Sequence, residues 1–365
     1  LHSKAALLKY RNASNTNIYK LGNFIDYFYG FMVPDTSYLK YFSLHLYDDG
    51  FVLQMPSKRE PKRVPAFAPA DNVHQALREA ERWAALLSAN TVSELNDIII
   101  NADFQELILV QEALQEAKIA NIAATIKEQK DKRFIMIAGP SSSGKTTFSK
   151  RLCVQLLAHG LQPYAISVDN YYVERSLTPL DENGNYDFES IRTMDIGLFN
   201  ESMNRLLKGD EVDLPVYDFM YGKKVYGTRI TKHNPDQPVV IEGIHALNDK
   251  LTEYIPDSRK FKIYISPLTT LGIDVHNRVP TTDARLLRRI VRDHQFRGRS
   301  AKDTLNDWTS VRDGEKVNIF PFSGEADAFF NSNHAYEITV LKKYVEPLLR
   351  EIKETDAEYA EAVRL

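Results

Sequence analysis

The chain has 365 residues, of which 43% are hydrophobic and 26% charged, and its formal net charge is −3. These values are typical of an ordinary folded protein of about two domains, and they exclude the overall basic excess of many nucleic-acid-binding proteins. The single cysteine, Cys153, excludes an intrachain disulfide and a cysteine-based zinc site, and fits a cytoplasmic location. No run of ~18 apolar residues predicts a membrane span. Because the chain starts at Leu1 without a signal-peptide pattern, we expect that it begins inside a longer one.

The first part of the chain is aromatic and strand-like. Residues 38–47 predict a strand, Asp48-Asp49-Gly50 a turn, and residues 51–55 a returning strand. Four prolines and several basic residues between positions 56 and 70 predict an irregular crossing. We therefore expect a small α+β region over residues 1–70.

Two helical stretches are predicted next, and together they would form a connector over residues 71–130. Asp71 can cap the first helix, and the segment Thr91–Glu94 resembles the capping box that starts a second one. The second stretch extends to about Lys130, and its length leaves open a break near Asn101. We interpret its leucine and isoleucine stripe as packing within the chain, in preference to a coiled coil with a partner.

From residue 133 onward, short apolar runs alternate with helical stretches. This alternation predicts an α/β domain with a largely parallel sheet of about five strands flanked by helices, over residues 131–365. The apolar runs are Phe134–Ala138, Tyr164–Val168, Val239–Ile241 and Phe261–Ile265.

The strongest local motif is Gly139–Thr146, which fits G-x-x-x-x-G-K-[ST] between a predicted strand and a predicted helix. In this phosphate-binding loop, or P-loop, glycines let backbone N–H groups point at phosphate oxygens, and the helix N-terminus adds a positive dipole end. Lys145 would place a cation on the β- and γ-phosphates, and the Thr146 hydroxyl can ligate Mg²⁺. The residues expected to bind the nucleotide are Gly139, Ser141, Ser142, Ser143, Gly144, Lys145, Thr146 and Thr147.

Two acidic residues follow neighbouring predicted strands. Asp169 ends the run Tyr164–Val168, and Glu242 ends the run Val239–Ile241. In a parallel sheet both positions lie at the ligand-binding edge, so Asp169 can take a proton from an attacking hydroxyl and Glu242 can support Mg²⁺. The alternatives are a turn or cap for Asp169 and a solvated strand end for Glu242.

A helix rich in arginine comes later in the chain. Arg285, Arg289 and Arg292 fall on one helical face, where like charges repel unless an anion offsets them. Phosphates are the natural anion, because the planar guanidinium suits them. The alternatives are a nucleic-acid patch and a solvated face paired with Asp283 and Asp293.

Taken together, residues 134–350 resemble the uridine kinase and phosphoribulokinase family of P-loop kinases, and the uridine kinase branch most closely. The matching segments occur in the order of the family. They are Gly139–Thr147, Val168–Tyr172, Asn185–Glu189, Pro215–Phe219, Ile241–Ile244 and the arginines from Arg288 to Arg299.

The resemblance implies that a phosphoryl group is transferred from ATP, with Mg²⁺, to the 5′-hydroxyl of a nucleoside. No sequence motif that reads the donor base is visible, so GTP stays open as the donor. It implies that Asp169 activates this hydroxyl and that Glu189, an aspartate in the family, holds the ribose hydroxyls, with Asp187 as the alternative. It also implies roles for other residues. These are Tyr217 beside the base, Glu242 near Mg²⁺, Arg289 and Arg292 around the acceptor and phosphates, and Arg297 and Arg299 as a lid pair.

Two positions depart from the pyrimidine kinases of the family. A base-reading histidine is replaced by Gly222, which we expect to leave more room, and a glutamine corresponds to a position near Asp307. Both changes should weaken pyrimidine discrimination, so a purine nucleoside or another ribose-bearing acceptor stays open. A sugar-phosphate kinase and a nucleotide-dependent switch or RNA-associated protein are the alternative functions.

The N-terminal part faintly resembles the extra domain of threonyl-tRNA synthetases. The paired His and Cys metal ligands of that domain are not evident, and His2 and His45 alone are weak evidence for a metal site. We therefore expect neither zinc nor editing activity. For the whole chain we expect a small-molecule substrate, no membrane and no nucleic-acid partner, with a homo-oligomer left open.

Overall fold

The fold is described from a computed structural model of the chain. It describes the chain apart from residues 1, 11–14, 29–31, 58–59, 102–103, 181–183, 185, 233 and 235–236, and the side chain of His2. Asn185, in one of the matching segments, thus lies outside the described residues. The chain divides into two compact units, residues 1–71 and residues 72–365.

In the part of the first unit that the structure describes, there are one short α-helix, one 3-10 helix (Thr36–Tyr38) and two antiparallel hairpins. Its elements are α1 (His2–Leu8), β1 (Tyr19–Leu21), β2 (Phe24–Asp26), β3 (Ser43–Tyr47) and β4 (Gly50–Gln54). The predicted hairpin is confirmed, because β3 pairs with β4 across the turn at Asp48 and Asp49. Its first strand begins later than predicted. His45 stacks on Phe67 with the ring centroids 4.3 Å apart, which is a packing role.

Three helices follow, in place of the two predicted stretches: α2 (Asp71–Leu86), α3 (Val92–Ile100) and α4 (Phe104–Glu128). The capping box is confirmed, because the Thr91 side chain accepts from the Glu94 backbone and the Glu94 side chain accepts from the Thr91 backbone. The break that the sequence left open near Asn101 is confirmed, because α3 ends at Ile100 and α4 begins at Phe104.

The central sheet has five parallel strands, as predicted. From one edge to the other, its strands are β13 (Ala328–Asn331), β12 (Lys260–Ser266), β5 (Phe134–Ala138), β11 (Val239–Glu242) and β6 (Tyr164–Ser167). The outer strand β13 was not predicted from the sequence. Two short antiparallel pairs were not predicted either: β7 (Glu211–Asp213) pairs with β10 (Ile230–Lys232), and β8 (Val216–Asp218) forms a hairpin with β9 (Lys223–Val225).

Strand β5 shows why the central strands are apolar along their whole length. Phe134, Met136 and Ala138 pack into the core on one face of the sheet, and Ile135 and Ile137 pack into the core on the other. Both faces are covered by helices, so every side chain of β5 is buried. The remaining helices are α5 (Lys145–Ala158), α6 (Ile196–Lys208), α7 (Thr281–Arg297), α8 (Ala301–Asn318), α9 (Glu337–Arg350) and α10 (Tyr359–Arg364). Within the described ranges, no helix combines the length and the apolar character needed to cross a membrane.

Candidate active site

The P-loop joins β5 to α5 at the carboxyl edge of the sheet. Its first glycine has no room for a side chain, because a Cβ on Gly139 would lie 2.1 Å from the carbonyl oxygen of Ile265. Ser142 and Gly144 adopt positive φ angles of 60° and 87°, which curl the backbone tightly. The loop therefore has the backbone shape of an anion-binding nest at a helix N-terminus.

Lys145 is half-buried at the start of α5. Its Nζ donates to the carbonyl oxygens of Gly139 and Pro140, at 3.0 Å and 3.2 Å. Burial lowers the pKa of this ammonium, and nearby carboxylates oppose that shift, Glu242 most strongly and then Asp169. A cation thus lies at the centre of the predicted site, close to its acidic residues.

Glu242, at the end of β11, lies directly across from α5. Its Oε1 accepts hydrogen bonds from the Thr146 hydroxyl at 3.3 Å and from the Ser167 hydroxyl at 3.0 Å. Burial raises the pKa of this carboxyl, and the Asp169 charge raises it further. A hydroxyl and a carboxylate at this distance from the P-loop are hard oxygen ligands, so the donor set fits Mg²⁺.

Asp169 follows β6 in the helical turn Val168–Tyr171. Burial raises the pKa of its carboxyl, while Lys145, Arg297 and Arg292 lower it. The carboxylate is thus close to the P-loop lysine and to arginines of α7. Residues from three separate parts of the sequence thus come together here, namely Lys145, Asp169 and the pair Arg292 and Arg297.

Glu189 also lies near Lys145, and near Arg289 of α7. Burial raises the pKa of its carboxyl to about 7, and Arg289 is the strongest of the charges that oppose this. Its Oε2 is buried and accepts no hydrogen bond from any residue that the structure describes. Gly314 of α8 packs closely behind it, because a Cβ at position 314 would lie 2.4 Å from the Glu189 Cβ. Asp187, the alternative, accepts a hydrogen bond from the Glu189 backbone N–H at 3.2 Å.

The arginine face of α7 is only partly as predicted. Arg289 and Arg292 both reach the Ser141 hydroxyl of the P-loop, at 2.9 Å and 3.4 Å. Arg285 is 1% exposed and forms an ion pair with the fully buried Glu315 of α8. The expectation that a phosphate offsets Arg285 is therefore wrong, because a protein carboxylate already does so. Asp283, the other expected partner, pairs with Arg364.

Asp293 gathers the other arginines of α7. It is 1% exposed and lies 3.3 Å from Arg289, 2.7 Å from Arg292 and 3.7 Å from Arg297. One buried carboxylate among three guanidinium groups leaves a net positive charge beside the P-loop. That charge suits an anionic ligand.

Arg297 and Arg299, the predicted lid pair, stand at the corner between α7 and α8. Gly298 ends α7 with a φ of 62°, and Ser300 starts α8 with a capping box. Arg299 lies 2.6 Å from Asp307, so this carboxylate holds an arginine. The two arginines therefore have separate carboxylate partners.

Tyr217 of β8 belongs to an aromatic cluster with Tyr172 and Phe219, at centroid distances of 5.7 Å and 5.0 Å. The prediction that Gly222 leaves more room is wrong. A Cβ at position 222 would lie 2.7 Å from the Cβ of Arg175, and the Arg175 backbone N–H donates to the Gly222 carbonyl at 2.9 Å. The space beside Gly222 is filled by an arginine.

His245, which was not predicted from the sequence as a site residue, lies just beyond Glu242. It is fully buried, and neither ring nitrogen has a hydrogen-bond partner among the described residues. Burial lowers the pKa of the imidazole to about 4, and the Lys145 charge adds to this. The ring is therefore neutral at physiological pH. The only feature of the sequence that could have indicated a place in the site was its position three residues after Glu242.

Comparison with known proteins identifies the family of the chain. The model of the Phosphoribulokinase / Uridine kinase family matches residues 134–339, which are 206 of the 365 residues. The chain belongs to this family. The resemblance inferred from the sequence motifs is thus confirmed, and the protein is an ATP-dependent kinase.

Individual relatives of the kinase cover about half of the chain. A uridine kinase from Ligilactobacillus salivarius (strain UCC118) is 28% identical over 177 residues, which cover 48% of this chain and 74% of that protein. A uridine kinase from Staphylococcus haemolyticus (strain JCSC1435) is 29% identical over 177 residues, with coverage of 48% and 76%. The structure of a possible uridine kinase from Bacillus stearothermophilus is 21% identical, covers 59% of this chain and 97% of that chain, and superposes with a TM-score of 0.37.

Proposed function

We propose that this kinase transfers the γ-phosphoryl group of Mg·ATP to the 5′-hydroxyl of a nucleoside. The observation that carries the proposal is the grouping of Asp169 and Glu189 around Lys145, beside the P-loop. One carboxylate would serve the attacking hydroxyl and the other would serve the sugar. The names of the curated relatives support a nucleoside as the acceptor.

In this mechanism, Asp169 orients the 5′-hydroxyl and accepts its proton as the oxygen attacks the γ-phosphorus. Lys145, Arg289 and Arg292 stabilise the negative charge that develops on the phosphoryl oxygens. Thr146 and Glu242 would hold Mg²⁺, which neutralises phosphate charge when it is bound. Arg297 and Arg299 would close over the donor and exclude water.

On the acceptor side, Glu189 has a buried oxygen free to accept from a ribose hydroxyl. A vicinal diol supplies two O–H donors, and an ionised carboxylate supplies two acceptor oxygens. Tyr217 and its aromatic neighbours provide an aromatic surface on which a base can pack. These groups together match a ribose that carries a planar ring.

The proposal is tested by offering Mg·ATP and a panel of pyrimidine and purine nucleosides, with product masses read by mass spectrometry. A nucleoside 5′-monophosphate is the expected product. Phosphorylation of a sugar phosphate alone would move the protein to another acceptor class. Slow hydrolysis of ATP with no phosphorylated small molecule would favour a nucleotide-dependent switch.

Acceptor binding should depend on pH through Glu189. Its pKa of about 7 means that the carboxyl is mostly protonated at pH 6 and ionised at pH 8. Because the ionised form accepts both sugar hydroxyls, nucleoside affinity measured by calorimetry without ATP should rise as the pH rises through 7. The Glu189→Gln variant should lose this dependence and bind about tenfold to a hundredfold more weakly at pH 8.

The same pKa shift predicts how the Glu189→Gln substitution changes the stability of the folded protein. A carboxyl whose pKa is raised on folding contributes stability that is fully present below its unfolded value of 4.5 and is lost as the pH rises to the folded value of about 7. Glu189→Gln should therefore unfold at an equal or higher temperature than the unmodified protein at pH 8.

If Asp187→Asn weakens nucleoside binding and Glu189→Gln does not, the alternative assignment of the sugar-binding carboxylate is correct.

The Mg²⁺ requirement should depend on Glu242. We expect Glu242→Gln to raise the Mg²⁺ concentration that gives half-maximal activity by about tenfold to a hundredfold, because a ligand-orienting carboxylate is lost. Glu201→Gln, on the exposed face of α6, is the matched control and should leave the Mg²⁺ titration unchanged. Equal titrations for both variants would remove Glu242 from the metal site.

A further inference from the structure

Three consecutive carbonyl groups of the P-loop are held by side chains from outside the loop. The Ser141 carbonyl accepts from Arg285 Nε at 3.1 Å and from its Nη2 at 3.0 Å. The Ser142 carbonyl accepts from Arg288 Nη1 at 3.3 Å. The Ser143 carbonyl accepts from a hydroxyl just after β13, that of Ser332. These donors come from two elements that are remote from the P-loop in the sequence.

Each arginine of this set is itself fixed by a carboxylate. Arg285 pairs with Glu315, and both side chains are at most 2% exposed. Arg288 pairs with Glu337 at the start of α9, and its Nη2 also donates to the Ser332 carbonyl at 2.9 Å. A guanidinium bound on two sides by acceptors has little freedom to rotate. The contacts to the loop are therefore rigid.

The geometry of the peptide bond links these contacts to phosphate binding. The backbone contains no cis peptide among the described residues. In a trans peptide, the carbonyl of one residue and the N–H of the next point to opposite sides. Holding the Ser141 and Ser143 carbonyls toward α7 and β13 therefore turns the N–H groups of Ser142 and Gly144 away from those elements. Turned this way, these N–H groups can serve the phosphates of the donor.

We propose that Arg285, Arg288 and Ser332 are positioning residues for the donor nucleotide. They hold the P-loop in its phosphate-binding shape before ATP arrives and do not themselves contact phosphate. The binding free energy of ATP then contains no cost for ordering the loop. This role belongs to the donor side and is independent of which acceptor the kinase uses.

The test is the affinity for ATP, ADP and AMP in the absence of any acceptor, measured by calorimetry at fixed ionic strength. Arg288→Gln should weaken ATP binding about tenfold, and Ser332→Ala severalfold, because each removes a hydrogen bond to a P-loop carbonyl. The loss should be smaller for AMP, which lacks the β- and γ-phosphates. Arg288→Lys should restore part of the affinity, since an ammonium can reach the carbonyl but cannot hold all partners at once.

Arg350→Gln is the matched control, because Arg350 lies on α9, is 76% exposed on its side chain and pairs with Glu346. It should bind ATP like the unmodified protein. If Arg288→Gln does not fold, Ser332→Ala decides the question, since it removes only a hydroxyl. A folded Ser332→Ala or Arg288→Gln protein that binds ATP within twofold of the unmodified protein would overturn the proposal. An equal loss for ATP and AMP would also overturn it, by showing a general structural effect.

Discussion

Asp169→Asn should lower kcat by about a thousandfold, as expected when a positioned general base is lost. The amide keeps the shape of the side chain and its place after β6, but it cannot accept a proton. Burial raises the pKa of the Asp169 carboxyl, and the charges of Lys145 and two arginines limit that rise. The carboxylate is thus tuned toward proton transfer while it stays available as a base.

ATP binding separates this effect from misfolding. The Asp169→Asn variant should bind ATP at least as tightly as the unmodified protein, because one negative charge near the phosphates is removed. Asp249→Asn is the matched control, since Asp249 lies on an exposed surface where it pairs with Lys262. A variant that retains more than a tenth of kcat would show that Asp169 is not the base.

Lys145→Met should abolish measurable transfer, with a loss of at least about a thousandfold in kcat/KM for ATP. Methionine has a similar length but no charge, so the β- and γ-phosphates lose their cation. Lys145 also stands among Glu242, Asp169 and Glu189, whose carboxylates raise its pKa against the effect of burial. Without it, these three carboxylates repel one another and the phosphates as well.

The control for this variant is Lys150→Met, on the exposed face of the same helix. Both proteins should fold, and only Lys145→Met should lose ATP binding in calorimetry. The three carboxylates should also titrate at higher pH in Lys145→Met, because a cation that lowers the pKa of each of them is gone. Tight ATP binding by Lys145→Met would contradict the assignment of Lys145 to the phosphates.

The P-loop could be predicted from the sequence because its strand, glycines, lysine and helix are consecutive. Asp169 and Glu242 could be placed at the same edge because the carboxyl ends of parallel strands meet there. The fifth strand, β13, could not, because four residues after a long helical stretch carry too little periodicity. The three-residue strands β7 to β10 were missed for the same reason.

The partners of charged residues were the least predictable part of the site. Arg285 is paired with Glu315, 30 residues away, and helical spacing cannot reveal such a contact. Arg175 fills the space beside Gly222, although 47 positions separate them. A sequence pattern shows which face of a helix a charge lies on, but only the packing of elements shows which neutralising group it meets.

Helix α8 has neighbouring residues that serve the two halves of the reaction. Gly314 packs behind Glu189, on the acceptor side, and Glu315 anchors Arg285 beneath the P-loop. Any displacement of this helix would move both supports together. We therefore expect the two substrates to be thermodynamically linked, so that ATP changes the affinity for the acceptor by the same factor as the acceptor changes the affinity for ATP.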